Sequence, residues 1–153
     1  RRPRPPSRRR PSNALKLLDT NVFLYAAGRP HPYKEPCTRL LEESSARIGE
    51  YAIDTELLQE VLHVYRSRGE LARGLAAFDD LIAAFPNPIP IGRIEVVVAR
   101  RLVGEYPALS PRDAIHAAVV QAHDLEGIIT TDRAFREIRG LAVFDPKDVV
   151  PDR

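Results

Sequence analysis

The sequence predicts an α/β fold, a mainly parallel sheet flanked by helices. Two observations carry this expectation. Short apolar runs that read as buried strands alternate along the chain with longer stretches of helical periodicity. Two of those runs, ending near Leu18 and Ile129, also stop in the same way, on Asp and Thr residues followed by a helix. With 153 residues and 44% hydrophobic content, the chain fits one domain with a real core.

In order, the first strand covers Leu15 to Leu18 and stops at Asp19, followed by Thr20 and Asn21, two good helix-capping types. Ligands in open parallel sheets bind beyond the carboxyl ends of the strands, so Asp19 is placed for chemistry. The alternative is that it only caps the next helix. That helix is expected over Val22 to Ala27, stopped by Gly28-Arg29-Pro30. A second helix runs from about Tyr33 to Arg47, tolerating Pro36 in its first turn and turning Cys37, Leu40 and Leu41 inward. Tyr51-Ala52-Ile53 reads as the next strand. Asp54 and Thr55 cap a helix whose stripe is Leu57, Leu58, Val61, Leu62, Val64 and Tyr65. Glu60 lies along the edge of that stripe, where a carboxylate is costly without a cation or hydrogen-bonding partner; Arg66 and Arg68 are the local candidates.

The helix Glu70 to Phe85 offers Leu71, Leu75, Phe78, Leu81, Ile82 and Phe85 to a core. Pro86 to Ile91 is an extended connector or edge strand, as its prolines require. A helix over Arg93 to Tyr106 is closed by Pro107. Ser110 caps the next one, with Pro111 in its first position and Asp113 completing a capping-box-like pattern. That helix is Ala-rich and must pack closely on the sheet, which also aims Asp113 toward the strand ends. His116 follows one turn later and reads first as an ordinary hydrogen-bonded helix residue. Gly127 to Thr130 repeats the first strand, ending in Thr131-Asp132 before a helix. A fifth strand at Leu141 to Phe144 and a polar tail from Asp145 complete the chain.

Composition narrows the functional classes. The formal charge of +2 is misleading, because six of 23 basic residues fall in the first ten positions and the rest of the chain stands at 17 basic against 21 acidic. Residues 1–13, rich in Arg, Pro and Ser, form an expected disordered leader; it either clamps phosphates or is a start-site artefact. The single cysteine excludes an internal disulfide and makes a Cys-based metal site implausible, which suits a reducing cytoplasm. No apolar run approaches the ~20 residues that span a bilayer, so a soluble, cytoplasmic protein is expected. There is no Gly-rich phosphate loop, nucleophile elbow or zinc-ligand spacing. Asp19, Glu60, Asp113 and Asp132 all fall at strand ends or helix starts. Gathered together they repel one another unless a cation is bound, and an all-oxygen set suits Mg²⁺ or Mn²⁺.

Leu17-Leu18-Asp19-Thr20-Asn21, the helical Glu60, Ser110 to Ala117 and Thr130-Thr131-Asp132-Arg133-Ala134-Phe135 together resemble a PIN domain, specifically VapC-type ribonuclease toxins. The likeness spans Leu15 to about Asp148 and takes residues 14–153 as one PIN-like domain. It implies a three-layer α/β/α sandwich with about five strands and an endoribonuclease dependent on magnesium or manganese. Such enzymes cut structured RNA, often transfer or ribosomal RNA, and stop translation. By this resemblance Asp19 and Asp113 are the principal metal ligands, Glu60 binds metal or positions water, and Asp132 ligates a second or water-bridged metal. Thr20, Asn21 and Thr131 hold those carboxylates and waters from behind. The family also implies a homodimer and a small antitoxin laid over the first helices, near Val22, Phe23 and Tyr25, although core packing explains Val22 and Phe23 as well. Arg29, His31, Lys34, Arg93, Arg112 and Arg133 are the cations that could bring RNA to an acidic body, and Tyr25 and Tyr33 could stack bases. Two rivals, a phosphotransferase and a signalling domain, weaken. A haloacid-dehalogenase-type phosphotransferase needs a second Asp where Asn21 stands, and a receiver domain needs paired acids and a late Lys. A non-catalytic RNA-binding scaffold and a housekeeping RNA-processing nuclease stay open.

Overall fold

The computed structural model describes residues 13–47 and 49–150. Four strands form one wholly parallel sheet in the order β2-β1-β3-β4: β1 (Asn13–Leu18), β2 (Tyr51–Ala52), β3 (Leu125–Ile129) and β4 (Val143–Phe144). Between them run α1 (Thr20–Ala27), α2 (Lys34–Ala46), α3 (Thr55–Ser67), α4 (Leu71–Ala84), α5 (Arg93–Glu105) and α6 (Pro111–Ala122). A short 3₁₀ helix (Arg133–Glu137) joins β3 to β4, and α7 (Pro146–Val149) follows. β1 starts at Asn13, inside the expected leader; the rest of that leader lies outside the described residues.

Strand alternation divides the core in two. Leu17 and Ile128 face α5 and α6, where Leu102, Ala114, Ala117 and Ala118 are buried; the three alanines let α6 lie close to the sheet. Leu18 and Ile129 face the other way, onto Val22, Leu40, Ile53, Leu57 and Val61 of the α1 to α3 side. The result is the expected three-layer sandwich. Gly127 allows β3 and β4 to pair, since a Cβ there would sit 2.3 Å from the Ala142 carbonyl oxygen. Cys37 is fully buried, as a small filler should be, and burial pushes its thiol pKa up to about 12.

Several expectations need correction. The sheet has four strands instead of about five, because the proline-rich 86–91 connector makes a single parallel bridge, Asp54 to Ile89, at the β2 edge. Its prolines lack the N–H groups that a longer ladder would use. Leu71 and Leu75, expected in the core, are 43% and 53% exposed. They stand on the outer face of α4, whereas Leu81 of the same helix is buried. The tail opens with a helix over Pro146–Val149: Asp145 accepts from the Lys147 N–H and Pro146 takes the first helical position, so α7 is capped locally. No helix among the described residues is long and apolar enough to cross a membrane.

Candidate functional site

Chain order creates the site. From β1 the chain passes to β2 on one side of it, then crosses to β3 on the other, so β1 and β3 are adjacent strands whose connections diverge. The crevice at their carboxyl ends is the topological switch point. Leu17 pairs with Ile128 and Leu18 with Ile129, so the next two residues, Asp19 and Thr130, meet beyond the ladder. The Thr130 hydroxyl donates to Asp19 Oδ2 at 2.6 Å.

Asp19 occupies the N-cap position of α1, yet its side chain makes no capping hydrogen bond. The capping alternative therefore does not describe this carboxylate, which is 4% exposed and turned toward the crevice residues. Burial, opposed by His116 and Thr130 and reinforced by the charges of Asp113 and Glu60, pushes its pKa up to about 6. Glu60 reaches the same place from α3. Thr20 donates to its Oε2 at 2.8 Å, and Arg112 lies 3.5 Å from its Oε1; the partners expected locally, Arg66 and Arg68, are not those found. Burial alone would raise the Glu60 pKa, but the hydrogen bonds from His116 and Thr20 and the His116 and Arg112 charges hold it below the usual carboxylate range.

Asp113 is half-buried in the first turn of α6. Its backbone N–H is capped by Ser110 Oγ, and that hydroxyl donates to Asp113 Oδ2 at 2.6 Å, so one carboxylate oxygen is fixed and the group is near enough to act on Asp19. Asp132 is placed differently. It is exposed, and its Oδ1 accepts from the Ala134 N–H to cap the 3₁₀ helix, while its own N–H donates to Thr130 Oγ1. One of its carboxylate oxygens is thus tied to the local turn.

Three residues that sequence reasoning undervalued complete the cluster. Thr130 is its hub: besides donating to Asp19, its oxygen accepts from Asn21 Nδ2 at 3.1 Å and from the Asp132 N–H at 3.0 Å. Thr131, named in its place, contributes its backbone N–H to Asn21 Oδ1 at 3.4 Å. His116 is wholly buried, with Nδ1 2.7 Å from Asp54 Oδ2 and Nε2 3.5 Å from Glu60 and 3.7 Å from Asp19. Burial opposes its charge, but the Asp54, Glu60 and Asp19 carboxylates together hold its pKa well above the ordinary value. Asp54 caps α3 through Leu57 as expected and also anchors this imidazole. One signal was available: an Asp-Thr pair, Asp54-Thr55, follows β2 much as Asp19-Thr20 follows β1.

Among the described residues no three Asp, Glu, His or Cys side chains already converge closely enough to hold a metal ion. The donor chemistry nevertheless fits a hard divalent cation. Asp19, Glu60 and Asp113 supply only oxygens, two of them destabilise the ionised form of the third, and a cation between them relieves that repulsion. Of the basic residues named from sequence, Arg112 borders Glu60, Arg29 lines a neighbouring cleft and Arg133 is exposed on the 3₁₀ helix. The Lys34 ammonium donates to the Gly28 carbonyl, closing the end of α1. Tyr33 donates to Asp145 at 2.7 Å.

The PIN domain family model matches residues 16–141. The chain is 35% identical over 125 residues to VapC ribonuclease Mb1869c of Mycobacterium bovis, covering 82% of this chain and 95% of that one. It is 34% identical over 116 residues to ribonuclease VapC23 of Mycobacterium tuberculosis, with coverages of 76% and 91%. Among solved structures it is similar to a toxin–antitoxin complex from Klebsiella pneumoniae (TM-score 0.60, 28% identity, 86% of this chain and 97% of that chain). DNA-bound VapBC from Salmonella typhimurium shares the fold at a TM-score of 0.66 and 20% identity, covering 86% of this chain and 98% of that chain. A match that takes in the β1–β3 crevice and every residue gathered around it places the chain in the PIN-domain family, among the VapC ribonucleases.

Proposed function

We propose that this chain is an endoribonuclease that hydrolyses RNA phosphodiester bonds with a divalent metal, and that it acts as the toxin of a pair controlled by a small antitoxin. The observation that carries this reading is Asp19, a buried carboxylate at the switch point with Glu60 and Asp113 close enough to oppose its ionisation. The relatives named as ribonucleases match over most of their length, which supports the same chemistry.

Asp19, Asp113 and Glu60 would hold Mg²⁺ or Mn²⁺, which when bound lowers the pKa of an attacking water and offsets phosphate charge. The remaining groups position. Thr130 and Ser110 each fix one oxygen of a carboxylate. Glu60, held below the usual carboxylate range, is a poor proton acceptor and suits ligation or water orientation better than general-base work. Arg112, half-exposed beside it, is placed to meet a substrate phosphate. Asp132, exposed and bonded to Ala134 through one oxygen, would join a second ion or bound water through the other.

Arg29 and Arg133 would add phosphate contacts, as would Lys34 through the ammonium N–H groups not spent on Gly28. The antitoxin partner is supported by the solved neighbour from Klebsiella pneumoniae, which is itself a toxin–antitoxin complex. A homodimer is supported by Ile94, Val96 and Val97 on α5, each more than half exposed, apolar surface that a second copy would cover. Transfer or ribosomal RNA is the substrate class we infer, in the cytoplasm where both occur.

The test is cleavage of purified cellular RNA with Mg²⁺, with Mn²⁺ and with chelator, beside Asp19→Asn. Discrete fragments that need metal and vanish in the variant are expected. Intact RNA in every lane, from folded protein free of antitoxin, would overturn the nuclease in favour of an RNA-binding scaffold.

A further inference from the structure

A cleft of about 700 Å³ opens beside the acidic cluster, between the end of α1 and the turn joining α3 to α4. Asn21, Tyr25, Arg29, His31, Arg68 and Glu70 line it. Asn21 belongs to both places, since its side-chain amide also bonds Thr130 and Thr131 in the catalytic crevice. The cleft and the site are therefore neighbours across Asn21.

Its walls have a definite chemistry. Tyr25 and His31 stack with ring centroids 4.3 Å apart and planes 23° apart, and Tyr33 extends the group 6.0 Å from His31. His31 Nδ1 accepts from the Tyr33 N–H at 3.2 Å, which holds the ring in place. Arg29 and Arg68 are exposed at the rim, and neither pairs with a carboxylate among the described residues. Glu70, the one acid on the wall, is ion-paired with Arg73. Aromatic faces flanked by two uncompensated guanidiniums match a nucleobase and its phosphates.

We propose that this cleft is a subsite for an unpaired nucleotide of the RNA substrate next to the scissile phosphate, with its base against Tyr25 and His31 and its phosphates between Arg29 and Arg68. The proposal rests on the ribonuclease reading. A base inside a duplex has both faces covered by the adjacent base pairs, so the enzyme selects loops and single strands.

Binding is read without cleavage, using the full chain in chelator and an oligoribonucleotide carrying 2-aminopurine, whose fluorescence falls when it stacks. Saturable quenching is expected with the single strand and not with the same strand annealed to its complement. His31→Ala is expected to weaken binding by roughly 5- to 150-fold, the range for one lost base stack. Arg68→Ala should lower the slope of log affinity against log salt by about 0.7, one phosphate contact on a single strand. Both residues are exposed, so neither substitution reaches the core. No quenching by the wild-type chain, equal binding of duplex, or variants that bind like wild type would each overturn the subsite. If any of these occurs while metal-dependent cleavage persists, the nuclease stands and only the subsite falls. Binding as expected without cleavage supports the subsite and removes the nuclease.

Discussion

Replacing Asp19 with asparagine should make the metal-free protein more stable at neutral pH while abolishing cleavage. The group has an ordinary pKa of 3.8 and a folded value of about 6, the reverse of the usual shift for a hydrogen-bonded carboxylate, because burial dominates. Below pH 3.8 both folded and unfolded chains carry the proton and Asp19 contributes nothing. As pH rises from 3.8 to about 6 the unfolded chain releases a proton that the folded chain keeps, so stability falls through that window. The loss is roughly 1.4 kcal/mol per pH unit, about 3 kcal/mol in all. The asparagine side chain has no proton to release, and its amide oxygen can still accept from Thr130. The stability difference between variant and wild type, from urea denaturation in chelator, should therefore grow from near zero at about pH 4 to about 3 kcal/mol at about pH 7. Adding Mg²⁺ should then reverse the order. An ion at about a thousand times its dissociation constant stabilises wild type by about 4.1 kcal/mol, more than the deficit of about 3 kcal/mol, and has no site of comparable strength in the variant. A difference that stays flat across that pH range, or a variant less stable at neutral pH, would refute the claim that this carboxylate is held in a strained ionised form.

Other consequences are separable from that one. His116→Gln takes the imidazole partner from the fully buried Asp54 and should cost about 3–5 kcal/mol. Combined with Asp54→Asn, which keeps an oxygen for Leu57, it should cost at least about 1 kcal/mol less than the two singles summed; additivity within about 0.5 kcal/mol would show that the pair is not coupled. Glu60→Gln keeps an acceptor for Thr20 but loses the charge that faces Arg112 and the buried His116, so a melting curve should show a loss of about 1–3 kcal/mol. Metal-dependent cleavage by the same variant should fall roughly 10- to 100-fold, and an unchanged rate would remove Glu60 from the site. Gly127→Ala drives a Cβ against the Ala142 backbone, which cannot yield as a side chain would, and should cost about 1–3 kcal/mol by thermal denaturation.

The strand-to-helix position of Asp19 was legible because an apolar run of fixed parity stops at a charge, and the run and the charge are adjacent in the chain. Asp113 was legible for a similar reason, through Ser110 and Pro111. His116 and Thr130 were not. Their decisive partners lie 62 and 111 positions away, and only the pairing of β1 with β3 and the seating of α6 bring them together. Asp132 stands at a junction like that of Asp19, but its side chain bonds the backbone two residues on, a choice that Asp makes readily and that periodicity does not reveal. Leu71 and Leu75 expose a different limit. Helical spacing identifies an apolar face but says nothing about whether another layer exists to cover it, and on the outer side of α4 none of the described elements does.

The same register that fills the core also builds the site, which explains why a strained cluster can persist. Leu18 and Ile129 are 1% and 0% exposed, and Leu17 and Ile128 are fully buried on the opposite face. Slipping β1 against β3 by one residue would invert every one of these side chains, at a cost of order ~1.5–3 kcal/mol for each large aliphatic group brought to the surface. Asp19 and Thr130 are the next residues of those strands, so they inherit that rigidity without contributing apolar area themselves. The crevice is also where the chain's connections diverge from β1 and β3, so the topology leaves it without a crossing helix. A carboxylate pushed up to about 6 is therefore held by packing on both faces of the sheet, and the repulsion within the cluster is free to be relieved by a cation instead of by movement of the strands.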